Sequence, residues 1–118
     1  MTRNTSTQIT THLCLAERNM FEGYARSFAL DPAGLLALLL VRELRSPRLA
    51  LLVKHDVPAN EPRRSKVTAH ALDENLHRKV LTMAANHGQS VSHACAVIIR
   101  AELTERWLER ALMTRFES

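Results

Sequence analysis

Alternating apolar and polar residues occur in two short segments of the chain, and this pattern is typical of half-buried strands. In residues 8–13, Ile9, Thr11 and Leu13 share one face. In residues 66–71, Val67, Ala69 and Ala71 share one face. The opposite faces carry the polar rows Gln8, Thr10, His12 and Lys66, Thr68, His70. We therefore predict two short strands, each with a polar outer row.

Each predicted strand is followed by two stretches of helical periodicity. After the first strand, residues 16–28 carry an apolar stripe that includes Phe21 and Tyr24. Asp31 is a good N-cap and Pro32 a good first helical residue, so a second helix is predicted from Pro32 to about Arg45. That second helix is apolar on nearly all sides and must be surrounded by protein.

The second half of the chain repeats this order of elements. A helix is predicted over residues 73–86, ended by Gly88 at the position that glycine favours. Ser90 then caps another helix. Its apolar rhythm continues to the end of the chain, which predicts one helix over 91–115, about 37 Å long.

The two halves align with two different offsets. An offset of 58 residues aligns the polar rows of the strands, whereas 59 residues aligns the helices and pairs Glu43 with Glu102. An offset of 59 throughout would turn Val67 and Ala69 outward, because a one-residue slip exchanges the faces of a strand. We prefer the register that keeps the polar residues outside.

The repeat divides the chain into a first unit at 7–45, a linker at 46–64, a second unit at 65–103 and a helical extension at 104–118. The linker contains three prolines and ends in two arginines. Its stretch 49–53 is apolar enough to cover exposed core.

Composition narrows the class of protein only slightly. The formal charge of +4 and the pI of about 9.7 are compatible with a polyanionic partner. Two distant cysteines, Cys14 and Cys95, indicate a reducing compartment. The N-terminus resembles no secretory signal, and the longest apolar run is too short for a membrane span. We expect a cytoplasmic protein.

The sequence contains no recognisable catalytic or metal-binding motif. There is no nucleophile elbow and no phosphate-cradling glycine loop. The six histidines and two cysteines show neither CxxC nor HxxxH spacing. We expect no enzymatic activity, no metal, no cofactor and no small-molecule substrate.

The order strand, helix, short turn, helix resembles the ribbon-helix-helix family of DNA-binding proteins, the Arc, MetJ and CopG type. The residues that carry the resemblance are 8–13 with 30–36, and 67–80 with 87–92. It implies a mainly α fold with a short two-stranded antiparallel β-ribbon, built as a tandem ribbon-helix-helix pseudo-dimer within one chain. Exchange of strands between two chains is the alternative.

This resemblance implies that the ribbon enters the major groove of double-stranded DNA. The side chains expected to contact bases offer donors and acceptors, and they are Gln8, Thr10, His12, Lys66, Thr68 and His70. Phosphate contacts are expected from the arms before the strands and from the start of the last helix, through Arg3, Arg63, Arg64, Ser90, Ser92 and His93. Asp31 departs from the pattern because its carboxylate repels phosphate.

The apolar residues of the C-terminal extension allow two interpretations. They form ordinary core, or they form a surface for self-association or a partner. The residues concerned are Trp107, Leu108, Ala111, Leu112 and Phe116.

The leading hypothesis is a sequence-specific regulator, a repressor or an accessory protein of plasmid or mobile DNA. The first alternative is an antitoxin-like module that binds a partner protein through its C-terminal helix. The second is a helical adaptor with no role on DNA.

Overall fold

The computed structural model describes residues 8–51, 65–69 and 73–117, with the side chains of 114–117 excepted. Its elements in chain order are β1 (Ile9–Leu13), α1 (Leu15–Arg26), α2 (Pro32–Arg45), β2 (Ser65–Ala69), α3 (Glu74–Asn86), α4 (Val91–Glu105) and α5 (Trp107–Glu117). The fold is mainly helical with a two-stranded antiparallel sheet, as the sequence predicts.

The two strands of the sheet come from opposite halves of the chain. Strand β1 pairs with β2 in antiparallel orientation, with Ile9 opposite Ala69 and Leu13 opposite Ser65. β-Branched residues suit such a pleated surface, one face of which is buried. Because the strands pair within one chain, a single chain supplies both strands of the ribbon.

The helices cover the inner face of the ribbon in a crossed arrangement. Helix α4 packs against β1 and helix α2 packs against β2, so each strand lies on the second helix of the other half. Helices α1 and α3 complete a single core. Its largest fully buried apolar side chains are Phe21, Leu13, Leu35, Leu36, Leu39, Leu40, Ile99, Val80 and Val97. Burial of this apolar surface is what holds the two halves together.

Matching turns end α1 and α3. Ala29 and Gly88 both have positive φ, 61° and 67°. In each turn the next residue donates its N–H to a carbonyl five positions earlier, Leu30 to Ala25 and Gln89 to Ala84. These are Schellman turns, which place a left-handed residue after the helix. The predicted end of α3 at Gly88 is confirmed.

Side-chain caps begin the helices that follow these turns. The Asp31 carboxylate accepts a hydrogen bond from the N–H of Gly34 at 2.7 Å, and the Ser90 hydroxyl accepts one from His93 at 3.0 Å. Both predicted N-caps are therefore confirmed.

The prediction of one continuous helix over 91–115 is wrong. The chain breaks at Arg106, whose φ of 53° and ψ of 48° are left-handed, and α5 begins at Trp107. The cause is the buried carboxylate of Glu102, which accepts a hydrogen bond from the N–H of Leu108 at 2.8 Å. Satisfying this buried acceptor ends α4 and turns the chain back onto the core.

An equivalent arrangement ends α2. The buried carboxylate of Glu43 accepts hydrogen bonds from the N–H groups of Arg48 and Leu49 at 2.6 and 2.7 Å. Leu49 is buried at 2 % exposure, as predicted for a segment that covers core, but Leu51 is 71 % exposed. The remainder of the predicted core-covering stretch lies outside the described residues.

Within the described ranges, no helix combines the length and apolar character needed to cross a lipid bilayer.

Candidate nucleic-acid interface

The centre of the ribbon is a pair of threonines. Thr10 of β1 lies directly opposite Thr68 of β2, and their Oγ1 atoms form a hydrogen bond of 2.9 Å. Directly opposed threonines pair in this way on one face of an antiparallel ladder. His12 lies opposite Lys66 on the same face.

The two faces of the ribbon differ in burial as the preferred register predicts. On the inner face Val67 is 2 % exposed and Ala69 is 0 % exposed. On the outer face Lys66 and Gln8 are exposed, while Thr10, His12 and Thr68 are half-buried. The alternative register, with Val67 and Ala69 facing outward, is wrong. His70 lies outside the described residues.

Thr11 is a polar residue on the inner face, and it is fully buried. Its hydroxyl donates a hydrogen bond to the carbonyl oxygen of Ser92 at 2.6 Å. A buried hydroxyl needs such a partner, so a threonine in an apolar row signals an acceptor nearby. The bond fixes the N-terminal turn of α4 beside strand β1. Sequence reasoning placed Thr11 correctly but did not identify its partner.

The predicted phosphate-binding residues of α4 occupy its first turn. Ser90 is exposed, and Ser92 and His93 are half-buried. Ser90 acts as the cap, and the Ser92 hydroxyl lies 3.5 Å from Oγ1 of Thr11. Arg3, Arg63 and Arg64 lie outside the described residues, so the structure brings together only the α4 part of this predicted set.

The C-terminal apolar residues divide between core and surface. Leu108 is 8 % exposed and belongs to the core of its own chain. Leu112 and Trp107 are half-buried against the core, and Ala111 is exposed. The guanidinium of Arg42 lies over the Trp107 ring, 4.5 Å from its centroid. The Phe116 side chain lies outside the described residues.

A buried polar cluster that the sequence did not reveal holds α5 in place. The Tyr24 hydroxyl donates a 2.6 Å hydrogen bond to Glu102 and accepts one of 3.3 Å from the N–H of Glu109. Burial, and then the bond to Glu102, raise the pKa of Tyr24 well above its ordinary value of 10.0. The other Glu102 oxygen, Oε1, lies 3.8 Å from Arg42. The one feature of the sequence that could have indicated this cluster is the glutamate at matching positions of two apolar helices, Glu43 and Glu102.

Arg106 closes the exposed side of this cluster. Its guanidinium lies over the Tyr24 ring, 4.6 Å from the centroid, and forms an ion pair with Glu109. The hydrogen bond to Glu109 raises the pKa of Arg106. Both hydrogen bonds of the cluster to Glu102 go to Oε2, from Tyr24 and from the N–H of Leu108, whereas Oε1 is buried without a hydrogen-bond partner among the described residues.

In the part of the chain that the structure describes, no three His, Cys, Asp or Glu side chains come together as a metal site.

Comparison with protein-family models, curated proteins and solved structures finds no match to this chain.

Proposed function

We propose that the chain is a tandem ribbon-helix-helix pseudo-dimer that binds double-stranded DNA through the outer face of its ribbon. The observation that carries the proposal is the strand register. Pairing Thr10 with Thr68 puts the two copies of one repeat position opposite each other. On either side of this pair, Ile9 lies opposite Ala69 and Thr11 lies opposite Val67. Under the offset of 58, Ile9 corresponds to Val67 and Thr11 to Ala69, so an approximate two-fold axis through the threonines relates one pair to the other.

The helices support the same axis. Helix α4 lies on β1 and α2 lies on β2, which is the exchange that a two-fold axis produces. Features at an offset of 59 residues also correspond in detail. These are the left-handed residues Ala29 and Gly88, the caps Asp31 and Ser90, and the buried carboxylates Glu43 and Glu102.

The chemistry of the outer face supports DNA as the partner. Hydroxyl, imidazole, amide and ammonium groups offer the donors and acceptors that base edges in the major groove match. A two-stranded ribbon fits the width of that groove. The charge of the protein is also positive overall, so phosphate attraction favours the encounter.

A protein of this kind serves as a repressor or as an accessory protein on plasmid or mobile DNA. Both roles need sequence-specific binding by the same face, acting in the cytoplasm without an enzymatic step. We propose this shared activity and leave the two roles as alternatives.

The test is duplex DNA binding measured by fluorescence anisotropy over a range of salt concentrations. The outer-face variant Lys66→Ala/Thr68→Ala is compared with Lys79→Ala/Thr82→Ala, which removes the same two side-chain types from exposed positions of α3. The proposal expects binding that weakens with salt and is reduced about tenfold or more by the ribbon variant alone. Equal binding by the two variants, or none by the wild type at low salt, would contradict it.

A second candidate is an antitoxin-like module that binds a partner protein beside α5. The specific observation is a cleft of about 730 Å³ between the end of α1 and α5. Its lining includes Phe28, Leu112 and Met113, and Met113 is 50 % exposed. If this cleft takes a helix of a partner, Met113→Glu abolishes the complex and leaves DNA binding unchanged.

A further inference from the structure

The polar rows of the two strands are the same except at one position. Under the offset of 58, Thr10 corresponds to Thr68 and His12 to His70, which are identities. Gln8 corresponds to Lys66, and this is the one difference. The face that would meet DNA is therefore almost two-fold symmetric, and Lys66 is what breaks the symmetry.

The strand register puts this difference at the ends of the ribbon. Lys66 lies opposite His12, so one end presents an exposed ammonium beside an imidazole. Gln8 is exposed at the other end, four positions before His12 along the chain. At about 3.3 Å per residue the two ends are about 13 Å apart, the rise of about four base pairs. Gln8 and Lys66 therefore reach different base pairs.

The two side chains also differ in what they recognise. A lysine ammonium only donates, and it suits the O6 and N7 acceptors of guanine. A glutamine amide both donates and accepts, and it pairs with the N6 and N7 groups of adenine. Equivalent positions of a two-fold DNA site would thus be read as different bases.

A second asymmetry lies behind the ribbon. The N-terminus of α2 is capped by the Asp31 carboxylate, whereas that of α4 is capped by the neutral Ser90 hydroxyl. The hydroxyl of Thr11 in β1 ties that strand to α4, and the corresponding residue of β2, Ala69, has no hydroxyl to make such a bond with α2. The two halves therefore differ in charge and in attachment where they approach the ribbon.

We infer that the protein recognises a non-palindromic DNA site in one fixed orientation, with Lys66 as the residue that sets the orientation. Lys66 selects guanine in one half-site, and Gln8 selects adenine at the symmetry-related position of the other. This inference rests on the proposed function and adds the polarity of its target.

The experiment is selection of bound sequences from a randomised duplex library. It uses the wild type and two variants that make the polar rows identical. Lys66→Gln places glutamine at this position of both rows, and Gln8→Lys places lysine at this position of both rows. The wild type should select guanine in one half-site and adenine in the other. Lys66→Gln should select adenine in both halves, and Gln8→Lys guanine in both.

Dissociation constants for duplexes of defined sequence measure the size of this base preference. Replacing the selected guanine by adenine should weaken wild-type binding about tenfold, and Lys66→Gln should reverse that preference. Both substitutions are at exposed positions, and circular dichroism checks that the fold is kept.

The failures of the two proposals are distinguishable. A palindrome selected by the wild type, or an unchanged site for Lys66→Gln, overturns the fixed orientation while DNA binding stands. Absence of any DNA binding by the folded wild type overturns both.

Discussion

Glu43 and Glu102 end their helices by the same device in the two halves of the chain. Each buried carboxylate accepts a hydrogen bond from the N–H of the leucine six residues later, Leu49 in one case and Leu108 in the other. Both leucines are buried, so each carboxylate both stops a helix and directs the next segment onto the core. The turns that follow α2 and α4 therefore correspond, as the turns that end α1 and α3 do.

Replacing Glu102 should be costly. Glu102→Ala leaves the N–H of Leu108 and the hydroxyl of Tyr24 without their acceptor, and it removes the partner of Arg42. We expect the free energy of unfolding to fall by about 2–4 kcal/mol in urea denaturation. The control Glu22→Ala breaks only half-exposed ion pairs on α1 and should cost about 1 kcal/mol or less. Equal losses for the two variants would show that the buried carboxylate does not stabilise the fold.

Ala29→Gly should stabilise the protein. A left-handed alanine costs about 1–2 kcal/mol, and the added freedom of glycine in the unfolded chain takes back about 0.5–1 kcal/mol. The net gain in unfolding free energy is about 0.5–1 kcal/mol, measured by thermal or urea denaturation. Gly88→Ala is the reciprocal control and should lose about 1 kcal/mol, since its Cβ would meet no atom and only the φ of 67° opposes it. A loss of stability in Ala29→Gly would contradict the matching turns.

Tyr24 should make the fold sensitive to alkali. Because its pKa is raised in the folded state by burial and by the bond to Glu102, the folded protein holds the phenol proton more tightly than the unfolded chain. The associated stability is complete below pH 10 and is lost as the pH rises above 10. Tyr24 is the single tyrosine of the chain, so phenolate absorbance reports it alone. Ionisation near pH 10 in the folded protein would contradict the buried cluster.

Cys95 should be unreactive while the protein is folded. It is fully buried in α4, and this burial raises its pKa to about 12. In a Cys14→Ala variant, alkylation near pH 8 should therefore proceed only as fast as the protein opens. The same variant in denaturant is the control and should react rapidly. Rapid reaction of the native protein would show that α4 is not packed as described.

The strands, the helix starts and the faces of the ribbon were predictable because they depend on local signals. The alternation of polar and apolar residues predicted that Val67 and Ala69 face inward, and Asp31 and Ser90 predicted the starts of α2 and α4. The break at Arg106 was not predicted, because it accompanies a hydrogen bond from the N–H of Leu108 to the buried Glu102 carboxylate, which hydrophobic periodicity does not show. A continuous apolar rhythm from α4 to α5 gave no local sign of it.

The candidate interface was predictable to a similar degree. Its outer row follows from alternation and from the preference for polar residues outside. The hydrogen-bond partner of Thr11 could not be predicted, because the acceptor is the backbone carbonyl of Ser92, which no side-chain pattern shows.

Amide chemical shifts of isotope-labelled protein, followed as duplex DNA is added, test the central claim most directly. The account predicts that the largest shifts fall on residues 8–13 and 65–69 and on the first turn of α4 beside Thr11. The exposed side of α3 and the amides of α5 should change little. Shifts concentrated on α5 with an unaffected ribbon, or no shifts at low salt, would contradict the ribbon as a DNA-binding surface.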